Sequence, residues 1–121
     1  MVLEHFDVTT HDYAVVFTAN ATGALQTVAS CFVFGGKSTS TPQIASSFRG
    51  KEPVFAYLRD SHNSLVGMRE IIKEKVDEIL CVNSCDELLT RTNHGLFAMT
   101  AMSNFCGRKY DLHLIEELEQ L

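Results

Sequence analysis

The strongest constraint on the fold is an alternation along the chain. Short apolar runs, rich in β-branched and aromatic residues, are separated by stretches with helical periodicity. The strand-like runs are Tyr13–Thr18, Val54–Leu58, Glu78–Val82 and Leu96–Ala101. They are apolar at nearly consecutive positions, the pattern of strands buried on both faces. The helical stretches are Ala21–Phe32, Ser64–Lys75, Asp86–Arg91 and Leu112–Leu121. In the first, Ala24, Leu25, Val28 and Phe32 share a stripe. In the second, Leu65, Met68, Ile72 and Val76 face inward while Glu70, Lys73 and Glu74 face out. In the last, Leu112, Ile115 and Leu118 share a face. Strands joined through helices need crossover connections, and crossovers make parallel sheet. The pattern therefore predicts an α/β chain, a three-layer αβα arrangement around a mainly parallel sheet.

The length, 121 residues, suits a single domain spanning 1–121. One segment stands apart. Gly35–Pro53 holds Gly35, Gly36, Ser38, Thr39, Ser40, Thr41, Pro42, Ser46, Ser47 and Gly50, which is turn and loop chemistry. It reads as a flexible loop insert over 35–53, with Ile44 and Phe48 spaced to dock a short helical turn.

Charge and cysteine content narrow the function. Lys and Arg total 10 against 15 acidic residues, a net charge of −5, and the basic residues are scattered. That pattern argues against a nucleic-acid surface or an anionic membrane. No apolar run of about 18 residues is present, and Met1–Thr10 has no basic patch leading into an apolar stretch, so neither a membrane span nor a signal peptide is expected. Cys31, Cys81, Cys85 and Cys106 include no Cys-x-x-Cys pair, and Cys81 and Cys85 are four apart. They are expected to be reduced thiols of a cytoplasmic chain, buried as small hydrophobes.

In open α/β sheets ligands collect beyond the carboxyl ends of the strands, and three polar clusters follow strand-like runs here. Thr18-Ala19-Asn20-Ala21-Thr22-Gly23 offers small residues and the free amides of a helix start, suited to a phosphate. The same residues suit a plain N-cap by Asn20 or Thr22. Asp60-Ser61-His62-Asn63-Ser64 places a histidine in a strand-to-helix turn, where it can exchange protons or stack on an aromatic ligand. No second ligand at metal spacing accompanies it, so no metal site is expected. Its alternative is capping by Ser61, Asn63 or Ser64, with His62 solvated. Ser103-Asn104-Phe105-Cys106-Gly107 offers the Asn104 amide, or else a simple turn.

Together these segments carry a resemblance. Tyr13–Leu25 is similar to the phosphate-loop segment of the class V aminotransferase-like enzymes, the cysteine desulfurase superfamily. Tyr57–Glu70, reading Tyr-Leu-Arg-Asp-Ser-His-Asn-Ser-Leu-Val-Gly-Met-Arg-Glu, resembles the strand-histidine-helix segment of that superfamily. Leu96–Tyr110 resembles its segment with Ser-Asn-Phe followed by Gly. Within the superfamily the likeness is greatest to the N-terminal domain of the molybdenum cofactor sulfurases. Met99-Thr100 and Met102 depart from the Pro and Gln of that pattern.

The resemblance implies part of the large domain of a pyridoxal-phosphate (PLP)-dependent transferase of fold type I. It implies that Ala21 and Thr22 hold the cofactor phosphate, that His62 stacks on the pyridine ring, and that Asn104 lies beside the ring substituents. It further implies sulfur transfer from L-cysteine to the molybdenum cofactor. The residues of the family that form the Schiff base, pair with the pyridine nitrogen and carry the persulfide are expected beyond Leu121, so no catalytic residue is assigned and the chain is expected not to be catalytic alone. Two other classes are expected to fit less completely. One is a non-catalytic subunit or interaction module of the same fold, its open sheet covered by a partner chain or a second copy. The other is a small thioredoxin-like redox protein, which the lack of Cys-x-x-Cys disfavours.

Overall fold

The computed structural model describes residues 1–34, 53–89 and 95–119. Its centre is β1 (Val54–Leu58). The strands β2 (Glu78–Val82) and β3 (Gly95–Ala98) pair with it on either side, both parallel, in the order β2-β1-β3. Tyr57 stands opposite Cys81 on one side and Ala98 on the other. The sequence explains why β1 is central. It is apolar at all five positions and all five are buried, whereas β2 begins with Glu78 and exposes both Glu78 and Cys81. A charged, half-exposed run can sit only at an edge.

The alternation of side chains along β1 sorts the core into two clusters on opposite faces of the sheet. Phe55 and Tyr57 pack with Ala29, Phe34, Met68, Ile72 and Val76. These come from α2 (Ala21–Cys31), from α4 (Met68–Ile72) and from the segments beside them, with α3 (Asn63–Val66) just ahead of α4. Val54, Ala56 and Leu58 pack on the other face with Val82 and with Leu114 of α6 (His113–Glu119). Helices thus cover both faces of the small parallel sheet, as an α/β chain requires. Burying Phe55, Leu58, Met68 and Ile72 contributes roughly 1.5–3 kcal/mol each. The remaining helices are short: α1 (Val2–His5), at the N-terminus, and α5 (Asp86–Leu89), between β2 and β3.

One glycine is required by close approach. A Cβ on Gly95 would lie 1.8 Å from the Val54 carbonyl oxygen, its backbone neighbour across the β1–β3 pair.

Several expectations are corrected. Tyr13–Thr18 forms no strand and pairs with none among the described residues, and Val16 and Phe17 are 72% and 86% exposed. An apolar β-branched run has only a propensity for strand; the ladder partner is non-local and has to be supplied by the rest of the fold. The stretch 64–75 is not one helix but α3 and α4, interrupted at Gly67, a poor helix former. The inward face of α2 is Thr22, Leu25 and Ala29, rather than a stripe ending at Val28 and Phe32, which are exposed. Ala29 is fully buried, since a small residue lets α2 approach α4 closely. Leu114 of α6 is buried, while Leu112, just ahead of the helix, and Ile115 are exposed; the Leu118 side chain lies outside the described residues. Cys31, Cys81 and Cys106 are exposed and Cys85 is half-buried, contrary to the expected burial. Cys31 lies at a helix end, Cys81 on an edge strand and Cys106 in a turn, while Cys85 packs partly against the cluster of Val82 and Leu114. The expected insert lies outside the described residues except for Pro53, which is buried.

Candidate functional site

The carboxyl end of β1 leads directly into the site. A tight turn, closed by the Ser61 amide to the Leu58 carbonyl (3.0 Å), carries the chain from β1 to α3. His62 is the N-cap of α3: its Nδ1 accepts from the Ser64 backbone N–H at 3.1 Å. The cap is therefore the histidine itself, and not Ser61, Asn63 or Ser64, the alternative that the sequence left open. A backbone amide can only donate, so Nδ1 is an acceptor and the neutral ring carries its proton on Nε2.

Opposite this turn stands the start of α2. Asn20, extended at φ −166°, ψ 175°, caps the helix, its Oδ1 accepting from the Gly23 amide at 2.8 Å. Asn20 is in turn fixed by Thr18, whose hydroxyl donates to the Asn20 carbonyl at 2.9 Å. The amides of Ala21 and Thr22 donate to no other described residue; first-turn amides have no helical partner of their own. Because Thr22 lies on the same helical face as Leu25 and Ala29, it turns toward α3. Its Oγ1 is 2.8 Å from Ser64 Oγ, which is itself 3.0 Å from His62 Nδ1. Two clusters forty residues apart in sequence thus meet through one serine hydroxyl.

The third cluster is tied to the same turn by Asp60. Its Oδ1 accepts from the Ser103 hydroxyl at 3.0 Å and its Oδ2 from the Tyr110 hydroxyl at 2.9 Å. Ser103 is buried, and its Oγ also accepts from the amides of Phe105 and Cys106. The loop closes with Gly107 at φ 72°, a left-handed conformation that favours glycine, and with a bridge between Met102 and Lys109. Asn104 is exposed on this loop. Burial, and then the Asp60 carboxylate that accepts its hydroxyl, push the Tyr110 phenol above its ordinary pKa; the Arg108 guanidinium works the other way.

Of the predicted residues, Thr22 and His62 are brought into one hydrogen-bonded chain. Ala21 sits exposed beside Thr22, and Asn104 lies on a loop anchored two residues from His62 in sequence. Sequence reasoning missed Ser64 as the link, and Asp60, Ser103 and Tyr110 as the clamp. The Ser-x-Phe-Cys spacing signals the serine turn at Ser103, but nothing local signals its pairing with Asp60. Ser61 Oγ, in the same turn, is buried without a hydrogen-bond partner among the described residues. A separate cleft of about 310 Å3 opens between Asn83–Asp86, Arg108–Asp111 and α6, and none of the four predicted residues lines it. Cys85 borders it; burial, and then Asp86, push its thiol pKa up, the reverse of an activated thiolate. Among the described residues no three His, Cys, Asp or Glu side chains are grouped to hold a metal, and no helix is long and apolar enough to cross a membrane.

Fold and site define an α/β protein with its polar groups gathered between the end of the central strand and the start of a helix. Comparison with known proteins is more specific. The chain is 43% identical over 122 residues to a molybdenum cofactor sulfurase of Caenorhabditis elegans, a match covering 98% of this chain and 17% of that protein. It is 32% identical to those of Drosophila melanogaster and Bos taurus, again over 98% of this chain and 15% and 14% of theirs. Over its length the sequence is similar to these molybdenum cofactor sulfurases, and it spans about one sixth of the length of these relatives. No family model matches the chain, and no solved structure matches it.

Proposed function

We propose that the chain supplies the phosphate- and ring-contacting part of a PLP site of fold type I, within a cytoplasmic sulfur-transfer system acting on L-cysteine and the molybdenum cofactor. The observation that carries this reading is the Thr22–Ser64–His62 chain, which places an anion-suited helix start beside an imidazole. The donor set fits the group. The Ala21 and Thr22 amides and the Thr22 hydroxyl would hold the phosphate, with the positive end of the α2 dipole behind them. The His62 ring would lie against the pyridine, and the exposed Asn104 amide would meet a ring substituent. When bound, PLP supplies an electron sink for bonds at the substrate α-carbon.

Covalent catalysis through this chain's lysines is not part of the reading. Lys73 pairs with Glu70 at 3.1 Å, and Lys75 donates to carbonyls at the far end of α2 from Thr22. With Lys73 and Lys75 engaged elsewhere and no Schiff-base residue assigned within this chain, it is expected to bind PLP reversibly and without a lysine adduct. Equilibrium titration with PLP, followed by borohydride reduction and peptide mass mapping, tests this. Saturable binding weakened at least tenfold by Thr22→Val with His62→Ala is expected. Binding that ignores both substitutions, or a reduced adduct on one lysine, defeats it.

A second reading is favoured by one observation. Val16 and Phe17, adjacent in the chain, are both exposed apolar side chains, as is Phe105. It supports an interaction module in which a partner chain or a second copy covers the Tyr13–Thr18 segment.

A further inference from the structure

We propose that Ser64 is a positioning residue whose single hydroxyl proton couples the orientation of the His62 ring to the state of Thr22. The inference rests on the cofactor reading above but is carried by geometry of its own. Ser64 touches both partners, at 2.8 Å to Thr22 Oγ1 and 3.0 Å to His62 Nδ1, and its backbone amide already donates to that same Nδ1. Since Nδ1 is the acceptor, the Ser64 hydroxyl engages it only by donating. Ser64 Oγ then accepts from Thr22, and the Thr22 proton is committed inward.

An anion at the start of α2 reverses this order. To donate to the anion, the Thr22 hydroxyl must release Ser64. The Ser64 hydroxyl then rotates to donate to Thr22 Oγ1, and His62 keeps the backbone amide alone. No proton changes owner; two hydroxyl groups rotate, and the hydrogen bonds to Thr22 and His62 are exchanged. The ring keeps its backbone cap, and the hydrogen bonding at Nδ1 changes with the state of Thr22. Ser64 is half-buried on the first turn of α3, in the same turn as His62, and its bridging position between His62 and Thr22 gives it this role. Its Thr22 contact spans forty-two residues of sequence.

The test uses the whole chain, labelled with 15N, at about pH 8, where an ordinary imidazole is neutral. Long-range 1H–15N spectra read the His62 Nδ1 signal directly, and circular dichroism checks each variant for folding. Thr22→Val should move the His62 Nδ1 signal in the parent chain and leave it unmoved when Ser64→Ala is already present. Adding inorganic phosphate should shift the signal in the parent and not in Ser64→Ala. PLP affinity should fall about fivefold in Ser64→Ala, the loss of one hydrogen bond, and recover in Ser64→Thr, which restores the hydroxyl. Thr22→Val acting equally with and without the Ser64 hydroxyl overturns the inference, as does a Ser64→Ala chain that binds PLP like the parent. A parent chain that does not bind PLP at all overturns the cofactor reading instead, and the Thr22→Val comparison then decides the coupling by itself.

Discussion

Asp60 shows how much one carboxylate organises here. It accepts from Ser103 and Tyr110 at once, joining the turn after β1 to the loop that carries Asn104. Because the folded state raises the Tyr110 pKa, it favours the neutral phenol. The stability this contact contributes is fully present below the ordinary phenol value, about 10, and is lost as pH rises through the raised folded value. Chemical denaturation at rising alkaline pH should show that loss, and Tyr110→Phe should flatten it. An unchanged alkaline slope in Tyr110→Phe would assign the loss to another group. Gly95 gives a second test at this scale. A methyl group there meets the Val54 carbonyl, so Gly95→Ala must displace backbone at the start of the β1–β3 pair. It should cost about 1–3 kcal/mol, measured by urea denaturation, and a neutral result would mean β3 can shift without loss.

Among the elements, α2 is held at both ends. Asn20 caps its start. At its end Lys75 donates to the carbonyls of Ala29 (3.0 Å) and Ser30. A cation at a helix C-terminus satisfies orphan carbonyls and opposes the negative end of the dipole. Lys75→Met keeps the aliphatic stem and removes the charge, so it should lower stability by about 1 kcal/mol while leaving β1 and its neighbours paired. Amide hydrogen exchange should then report faster opening at the last turn of α2 specifically. Uniformly faster exchange would mean Lys75 supports the whole core. The same element shows what a sequence pattern leaves open. The periodicity of 21–32 announces a helix, and the structure has one at Ala21–Cys31. Which stripe faces inward depends on what α2 packs against: Ala29 is chosen because α4 comes close, and this rotates Thr22 toward Ser64.

For the whole molecule, the sheet has three strands, with β2 and β3 at its edges among the described residues. Val16 and Phe17 are exposed on the segment that leads into α2. Exposed apolar strand-like surface favours association. The chain should therefore self-associate at micromolar concentration. Val16→Lys with Phe17→Lys should shift it toward monomer in sedimentation and, at concentrations where the parent is also monomeric, leave the denaturation midpoint unmoved, because neither side chain is in the core. A parent chain that is monomeric at all concentrations would remove the support for the interaction reading.

The sequence by itself determined the α/β character, the positions of β1, β2 and most of β3, and the three polar clusters. Each of these is written in short-range pattern: uninterrupted apolar runs, helical spacing, and turn residues at strand ends. It did not determine that Tyr13–Thr18 is unpaired among the described residues, which faces of α2 and α6 are buried, or that the four cysteines lie on or near the surface. Those follow from which elements become neighbours. The joining of Thr22 to His62 through Ser64, and of Asp60 to Ser103 and Tyr110, was likewise decided only by tertiary structure. A hydroxyl and a carboxylate choose partners within about 3 Å, and a distance that short between residues some forty apart is fixed by packing, which no local pattern encodes.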